Sequence, residues 1–357
     1  MTGDRHRHEK HAAKPDALPA STEGHGGGWK TALSWLTGLL ILGAVVGVAL
    51  HFTELERFAE LARQAEPAWL IAAAVLQAAT YFAAAGVWWV VLKRARRAKR
   101  YLALVPMGLA KLFTDQALPT GGIGGTLLVV AGLHRRGVPK GIAMATLLIG
   151  MTSYYAAYLL AVAIAVGILY AEHALDRWMV IGVGLFVLIA LAVPLGVLLV
   201  RRWVRVWPFT LVPKIVPALN VLVEAMEEAP VKLLRDPVSF SLAALLQFAV
   251  FALDAATLWT MLRAVGSDGS PLQAFAGFMM ASVAATVGPM PLGLGTFEAV
   301  STGALNLQGQ SVAAALTATL LLRGFTFWLP MIPGLVLARR ELKGHARDHA
   351  RDRGKAR

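Results

Sequence analysis

The 357-residue chain contains no cysteine. Disulfides, thiolate nucleophiles and thiolate metal sites are therefore excluded. Charge is also scarce, at 15% of residues, and acids are scarcer than bases, 21 against 34. HExxH, GxSxG and P-loop spacings are missing, so the hydrolytic and nucleotide chemistry they serve has no support. What fills the chain instead is apolar: 57% of residues are hydrophobic and the mean hydropathy is +0.60. Several uncharged runs reach the roughly 20 residues needed to cross a bilayer. The class is an all-α polytopic membrane protein. The net charge of +13 raises nucleic acid as a partner. However, the bases collect at the ends of apolar runs, where the positive-inside rule puts them, and no nucleic-acid partner is expected.

Residues 1–29 are polar with scattered Pro, Gly and His and are expected to be a disordered tail. His6, His8, His11 and His25 lack the spacing of a folded metal site. No metal or cofactor is expected. The first apolar run, 31–52, has no small-residue cleavage site and reads as a retained helix. Further spans fall at 67–92, 141–170, 178–200, 237–262 and 311–338. Two more apolar stretches, 101–133 and 271–306, are interrupted by Gly and Pro. The segment 201–236 is amphipathic and is expected along the membrane surface. The membrane domain thus covers 30–340, and 341–357 is a basic tail.

The basic segments "KRARRAKR" (93–100), "HRRGVPK" (134–140), "RRWVR" (201–205) and the tail from 339 belong on the cytoplasmic side. Segments 53–66 and 171–177 carry few bases. The pattern closes if each interrupted stretch enters and leaves on one side. Six spanning helices and two re-entrant hairpins then satisfy every segment, with both termini in the cytoplasm of a bacterial cell, a source to which the alanine content points.

The chain also repeats itself at a constant shift of 170 residues. Pro67 falls on Pro237, Gln77 on Gln247, Trp89 on Trp259, Pro119 on Pro289 and Gly125-Thr126 on Gly295-Thr296. Repeat 1 covers about 67–170 and repeat 2 about 237–338. Three spans separate a residue from its mate, so the halves run oppositely through the membrane. Inverted repeats with broken helices near the midplane are a transporter architecture.

The tips "PTGGIGGT" (119–126) and "PMPLGLGT" (289–296) put irregular backbone at membrane depth, which only protein or a wet cavity tolerates. Candidate binding residues are Pro119, Gly121, Gly122, Gly124, Gly125 and Thr126 in the first tip, and Pro291, Gly293 and Gly295 in the second. Thr126 and Thr296 are expected as N-caps of the returning half-helices, whose N–H groups suit an anion such as a phosphate. Five fully ionisable residues fall within apolar regions: Lys111, Asp115, Asp254, Glu298 and Arg323. Facing lipid, each costs about 2.5–3.5 kcal/mol, so all are expected to point inward. Lys111 and Asp115 are four apart and suited to pair on one helix face. Glu298 sits where the dipole favours a carboxylate, and Arg323 is its expected partner. Asp254 has no charged partner; protonation, or contact with Gln77 or Gln247, is expected.

The stretch "ALPTGGIGGTLLVVAGLHRRGVP" and the later run from "VGPMPLGLGTFEAV" through "LLLRGFTFWLPMIPGLVLARR" resemble the lysylphosphatidylglycerol synthase transmembrane, or flippase-like, family. Pro291, Gly293, Gly295, Glu298 and Arg323 carry the more specific match. After the first tip the chain departs from the pattern: Gly124, Gly125 and Thr126 stand where many members carry an acid and an arginine. The aminoacyl-transferring synthase domain of two-part members is not expected, since only a short basic tail follows residue 338. The resemblance implies lipid handling, and no catalysis is expected. The expected activity is translocation of a lipid or lipid-linked substrate, either an anionic phospholipid or a polyprenyl-linked lipid. The rival readings are a membrane scaffold serving a lipid-modifying enzyme and an intramembrane hydrolase using Asp115 and Asp254.

Overall fold

A computed structural model describes residues 63–117, 123–203, 228–288, 293–331 and 333–337. Among the described residues every regular element is helical. The main helices are α1 (Pro67–Arg94), α2 (Val105–Ala117), α3 (Ile123–Arg135), α4 (Lys140–Ala171), α5 (Arg177–Trp203), α6 (Pro237–Ala264), α7 (Pro271–Val287), α8 (Thr296–Leu307) and α9 (Val312–Arg323). A π-helical segment, Gly324–Trp328, prolongs α9.

Helices α1 and α6 form the spine. Each is 28 residues long and opens on a proline, where the missing N–H costs nothing. Each ends on bases, Lys93 and Arg94 in α1 and Arg263 in α6, which answer the negative end of the helix dipole. At about 1.5 Å per residue each is about 42 Å long, more than the roughly 30 Å hydrocarbon core needs. The two lie antiparallel. The Glu66 N–H donates to the Ala264 carbonyl at 3.0 Å at one end. At the other, Arg94 Nε meets Asp236 Oδ2 at 2.8 Å. Between these ends the Trp69 and Trp259 rings meet edge-on at 5.7 Å. Gly86 lets Leu246 close in: a Cβ there would stand 3.1 Å from Leu246 Cδ1.

The shift of 170 residues is visible in the elements. It carries both ends of α1 onto both ends of α6, and the end of α2 at Ala117 onto the end of α7 at Val287. The interrupted stretches are helical hairpins, α2–α3 and α7–α8. Their arms are 12 to 17 residues long, about 18–26 Å, against a hydrocarbon core of roughly 30 Å. Leu104, Met107 and Leu133 of the first hairpin region cluster with Leu92 of α1 and Met144 of α4. Met279 and Leu305 of the second cluster with Leu258 of α6, Leu169 of α4 and Phe186 of α5. Each hairpin therefore packs on the C-terminal part of its own spine helix. Because α1 and α6 are antiparallel, the hairpins sit at opposite ends of the pair.

The last helix touches both hairpins. Its Arg323 end meets α8, while a Cβ on Gly334 would stand 2.8 Å from Phe113 Cβ in α2. Between these points Pro330 has no N–H for the Thr326 carbonyl, and the backbone opens into π geometry.

Among the described residues four helical segments are long and apolar enough to cross a membrane: Pro67–Arg94, Lys140–Ala171, Pro237–Ala264 and Val312–Leu337. Shorter apolar helices run over Tyr101–Thr114, Arg177–Ala192 and Pro271–Val287. The expected span at 31–52 and most of the surface segment 201–236 lie outside the described residues, as do both terminal tails.

Candidate functional site

Helix α8 starts one residue earlier than a cap at Thr296 would give. Gly295, at φ 78°, is its N-cap, and Thr296 is its first helical residue. A left-handed φ is open to glycine and costly for a side-chain-bearing residue, so glycine takes the cap that was expected of Thr296. Thr126 is likewise no cap: α3 is already helical at Ile123, and Thr126 lies about one turn inside it. Gly124 and Gly125 are therefore helical residues, not part of the turn, and Gly125 is buried. Gly293, at φ 65°, brings the backbone against α7, where its added Cβ would lie 2.4 Å from Ala285 Cβ.

Three residues into α8, Glu298 accepts from Arg323 Nε at 2.7 Å. The side chains are only 12% and 15% exposed. The Arg323 guanidinium also lies over two rings, 5.1 Å from the Phe297 centroid and 5.3 Å from that of Phe327. Such contacts are worth about 2 kcal/mol when desolvated. Phe297 comes from α8 and Phe327 from the π segment, so the cation ties the second hairpin to the opened last helix. Glu298 Oε2 and Thr296 Oγ1 are buried with no hydrogen-bond partner among the described residues. The expected Glu298–Arg323 pair is thus present, and one carboxylate oxygen is left over.

A second polar group lies between α1 and α6. Asp254 Oδ1 receives Gln77 Nε2 at 3.4 Å and Thr80 Oγ1 at 3.3 Å. Gln77 and Thr80 fall on the buried face of α1 that also carries Ala73 and Val87, the helical period of a core stripe. Contact with Gln77 was one of the expected arrangements; Thr80, and Tyr81 beside it, were not foreseen. Their signal was the period itself, which puts Thr80 on the face of Gln77. The rings flanking Arg323 had a weaker signal, since Phe327 stands four residues on, one helical turn away.

Lys111 lies on α2, partly covered. The side chain of Asp115, its expected partner, lies outside the described residues, as do Pro119, Gly121, Gly122 and Pro291. Among the described residues no group of three or more His, Cys, Asp or Glu is placed to hold a metal ion.

Apolar helices of spanning length and an internal ion pair beside the glycine-capped start of α8 define a multi-pass membrane protein. Residues 35–334 match the family model described as lysylphosphatidylglycerol synthase TM region, and the chain belongs to that family. No curated protein matches it.

Proposed function

We propose that the protein is a flippase-like translocator of a lipid or lipid-linked substrate, not an enzyme, in the cytoplasmic membrane of a bacterium. In this reading the two hairpins are re-entrant, they enter from opposite faces, and both termini are cytoplasmic. The observation that carries it is the Glu298–Arg323 pair. A part-buried cation and carboxylate join the second hairpin to a helix opened by π geometry, with one carboxylate oxygen lacking a partner among the described residues. Ionisable residues inside a membrane domain mark substrate and ion pathways. Broken helices of inverted repeats form such pathways near the midplane.

The substrate is an anionic phospholipid or a polyprenyl-linked phosphate. Helix α3 has no acid in its first turn, whereas α8 has Glu298. The first break, Pro119 to Thr126, with Lys111 on the preceding arm, is accordingly the end assigned to the phosphate, and the second break to gating.

The test is reconstitution in liposomes carrying a fluorescent phosphatidylglycerol or a fluorescent polyprenyl phosphate, with a membrane-impermeant quencher outside. Translocation makes inner-leaflet probe quenchable in wild-type vesicles but not in Arg323→Ala vesicles. Quenching equal to that of protein-free vesicles for both lipids would sink the proposal.

A further inference from the structure

Asp254 makes no ion pair among the described residues, and its hydrogen bonding is poor for an ionised carboxylate. Both donors reach the same oxygen, at 3.4 and 3.3 Å, against about 2.7–2.9 Å for a good charge-assisted bond. The Thr80 hydroxyl has one hydrogen, and the Leu76 carbonyl competes for it at 3.2 Å. Yet the surrounding polar atoms are themselves unsatisfied. Among the described residues Gln77, 7% exposed, keeps its Oε1 buried without a partner. The Tyr81 hydroxyl, beside the Gln77 side chain, is also buried without one.

One proton resolves the carboxyl and the amide together. A protonated Asp254 becomes an O–H donor. If the Gln77 amide turns by a half-turn, its Oε1 takes the place from which Nε2 now meets Asp254 at 3.4 Å, and accepts from the protonated carboxyl. The ionised carboxylate offers Gln77 Oε1 nothing to accept.

The place of this group matters as much as its chemistry. In an antiparallel pair related by a shift of 170, a residue meets its own repeat mate only at the axis relating the halves. The Asp254 contacts join residues 174 and 177 apart, near that value. The Arg94–Asp236 contact at the end of the pair joins residues 142 apart. Asp254 therefore sits beside the axis on which both halves cross, and its mate, Ala84, is apolar. There is one carboxyl at the crossing, not two.

We propose that Gln77, Thr80, Tyr81 and Asp254 form a proton-binding site at the crossing of the two repeats, and that its proton couples to the translocation proposed above. An O–H bond forms on an Asp254 oxygen with a proton taken from water on one side, and breaks to return it to water on the other. The titratable groups acting on the site are Tyr81 from α1 and Tyr154 from α4. Arg323 of the last helix is engaged by Glu298, and α7 holds no ionisable residue.

The proton site stands apart from the lipid reading; the coupling rests on it. Infrared spectroscopy of the purified protein through a pH titration reads the site directly. A protonated-carboxyl C=O band is expected that titrates with pH, is lost in Asp254→Asn, survives in Glu298→Gln, and shifts in Tyr81→Phe. A wild type and an Asp254→Asn variant with identical bands at every pH, or a site that answers to sodium instead of pH, overturns the proton site. In the liposome assay an imposed pH gradient should change the wild-type rate severalfold and leave Asp254→Asn, the neutral isostere, unresponsive. Lipid movement indifferent to the gradient in the wild type overturns the coupling. If wild-type vesicles move no lipid, the translocation reading and the coupling fall together, while the infrared band still decides the proton site.

Discussion

Arg323 lies in a helix of otherwise apolar character, and its position is determined by what a guanidinium costs there. Left in lipid it costs about 2.5–3.5 kcal/mol. Against Glu298 and two aromatic faces it gains a charge-assisted bond and two ring contacts. Removing either partner strands the other, so Glu298→Ala and Arg323→Ala should each destabilise by about 3–5 kcal/mol. The double variant should lose less than the sum, with a coupling of about 1–3 kcal/mol in a thermal-unfolding cycle in detergent. Strictly additive losses would mean that the pair does not form. The exposed Arg94–Asp236 pair behaves differently. The Arg94 guanidinium, and then the Ser239 hydroxyl, hold the Asp236 carboxyl well below the usual carboxylate range. A carboxylate with a lowered folded pKa stabilises above its unfolded value and loses that contribution as pH falls through the folded one. Asp236→Asn should therefore lower Tm at neutral pH. The gap to wild type should close as pH drops below about 3.9, the ordinary Asp value; a gap constant with pH would refute the assignment.

The hairpins depend on glycines at two kinds of position. Gly293 is constrained twice, by its φ of 65° and by Ala285 at 2.4 Å from any added Cβ. Gly295, the α8 cap, is constrained only by its φ of 78°, with open space around it. Gly295→Ala should cost about 1–2 kcal/mol for the left-handed backbone. Gly293→Ala should cost about 1–3 kcal/mol more, for overpacking against α7. Thermal melting of the two variants checks the order, and equal losses would show that the Ala285 contact yields freely. The element boundaries were largely legible in the chain. Spans expected at 67–92, 141–170, 178–200 and 237–262 form helices over 67–94, 140–171, 177–203 and 237–264. Apolar runs bounded by Pro and by bases leave little freedom in where a helix begins or ends. The α8 cap falls on Gly295 and not on Thr296 because the chain turning there needs a positive φ, which Gly supplies cheaply.

For the whole molecule, the antiparallel spine with one hairpin at each end makes a demand on the membrane. If the hairpins are re-entrant, the flanks of each must emerge on one face. The absence of native cysteine makes the test clean. Single cysteines at Lys99 and Arg136 should react with an impermeant thiol reagent only from the cytoplasmic side, and those at Asp268 and Leu307 only from outside. Labelling of Lys99→Cys and Arg136→Cys from opposite sides would mean that the first hairpin spans.

The sequence by itself determined the class, the helical elements, the repeat of 170 residues and the Glu298–Arg323 partnership. Each follows from local or pairwise physics: hydropathy sets which segments enter a bilayer, and a buried charge must find its opposite. What only the tertiary structure decided is which residues serve Asp254, which rings flank Arg323, and that glycine caps α8. Those depend on the rotation of each helix about its own axis and on how closely two backbones approach. Many neighbouring side chains set that packing at once, and no short stretch of sequence encodes it.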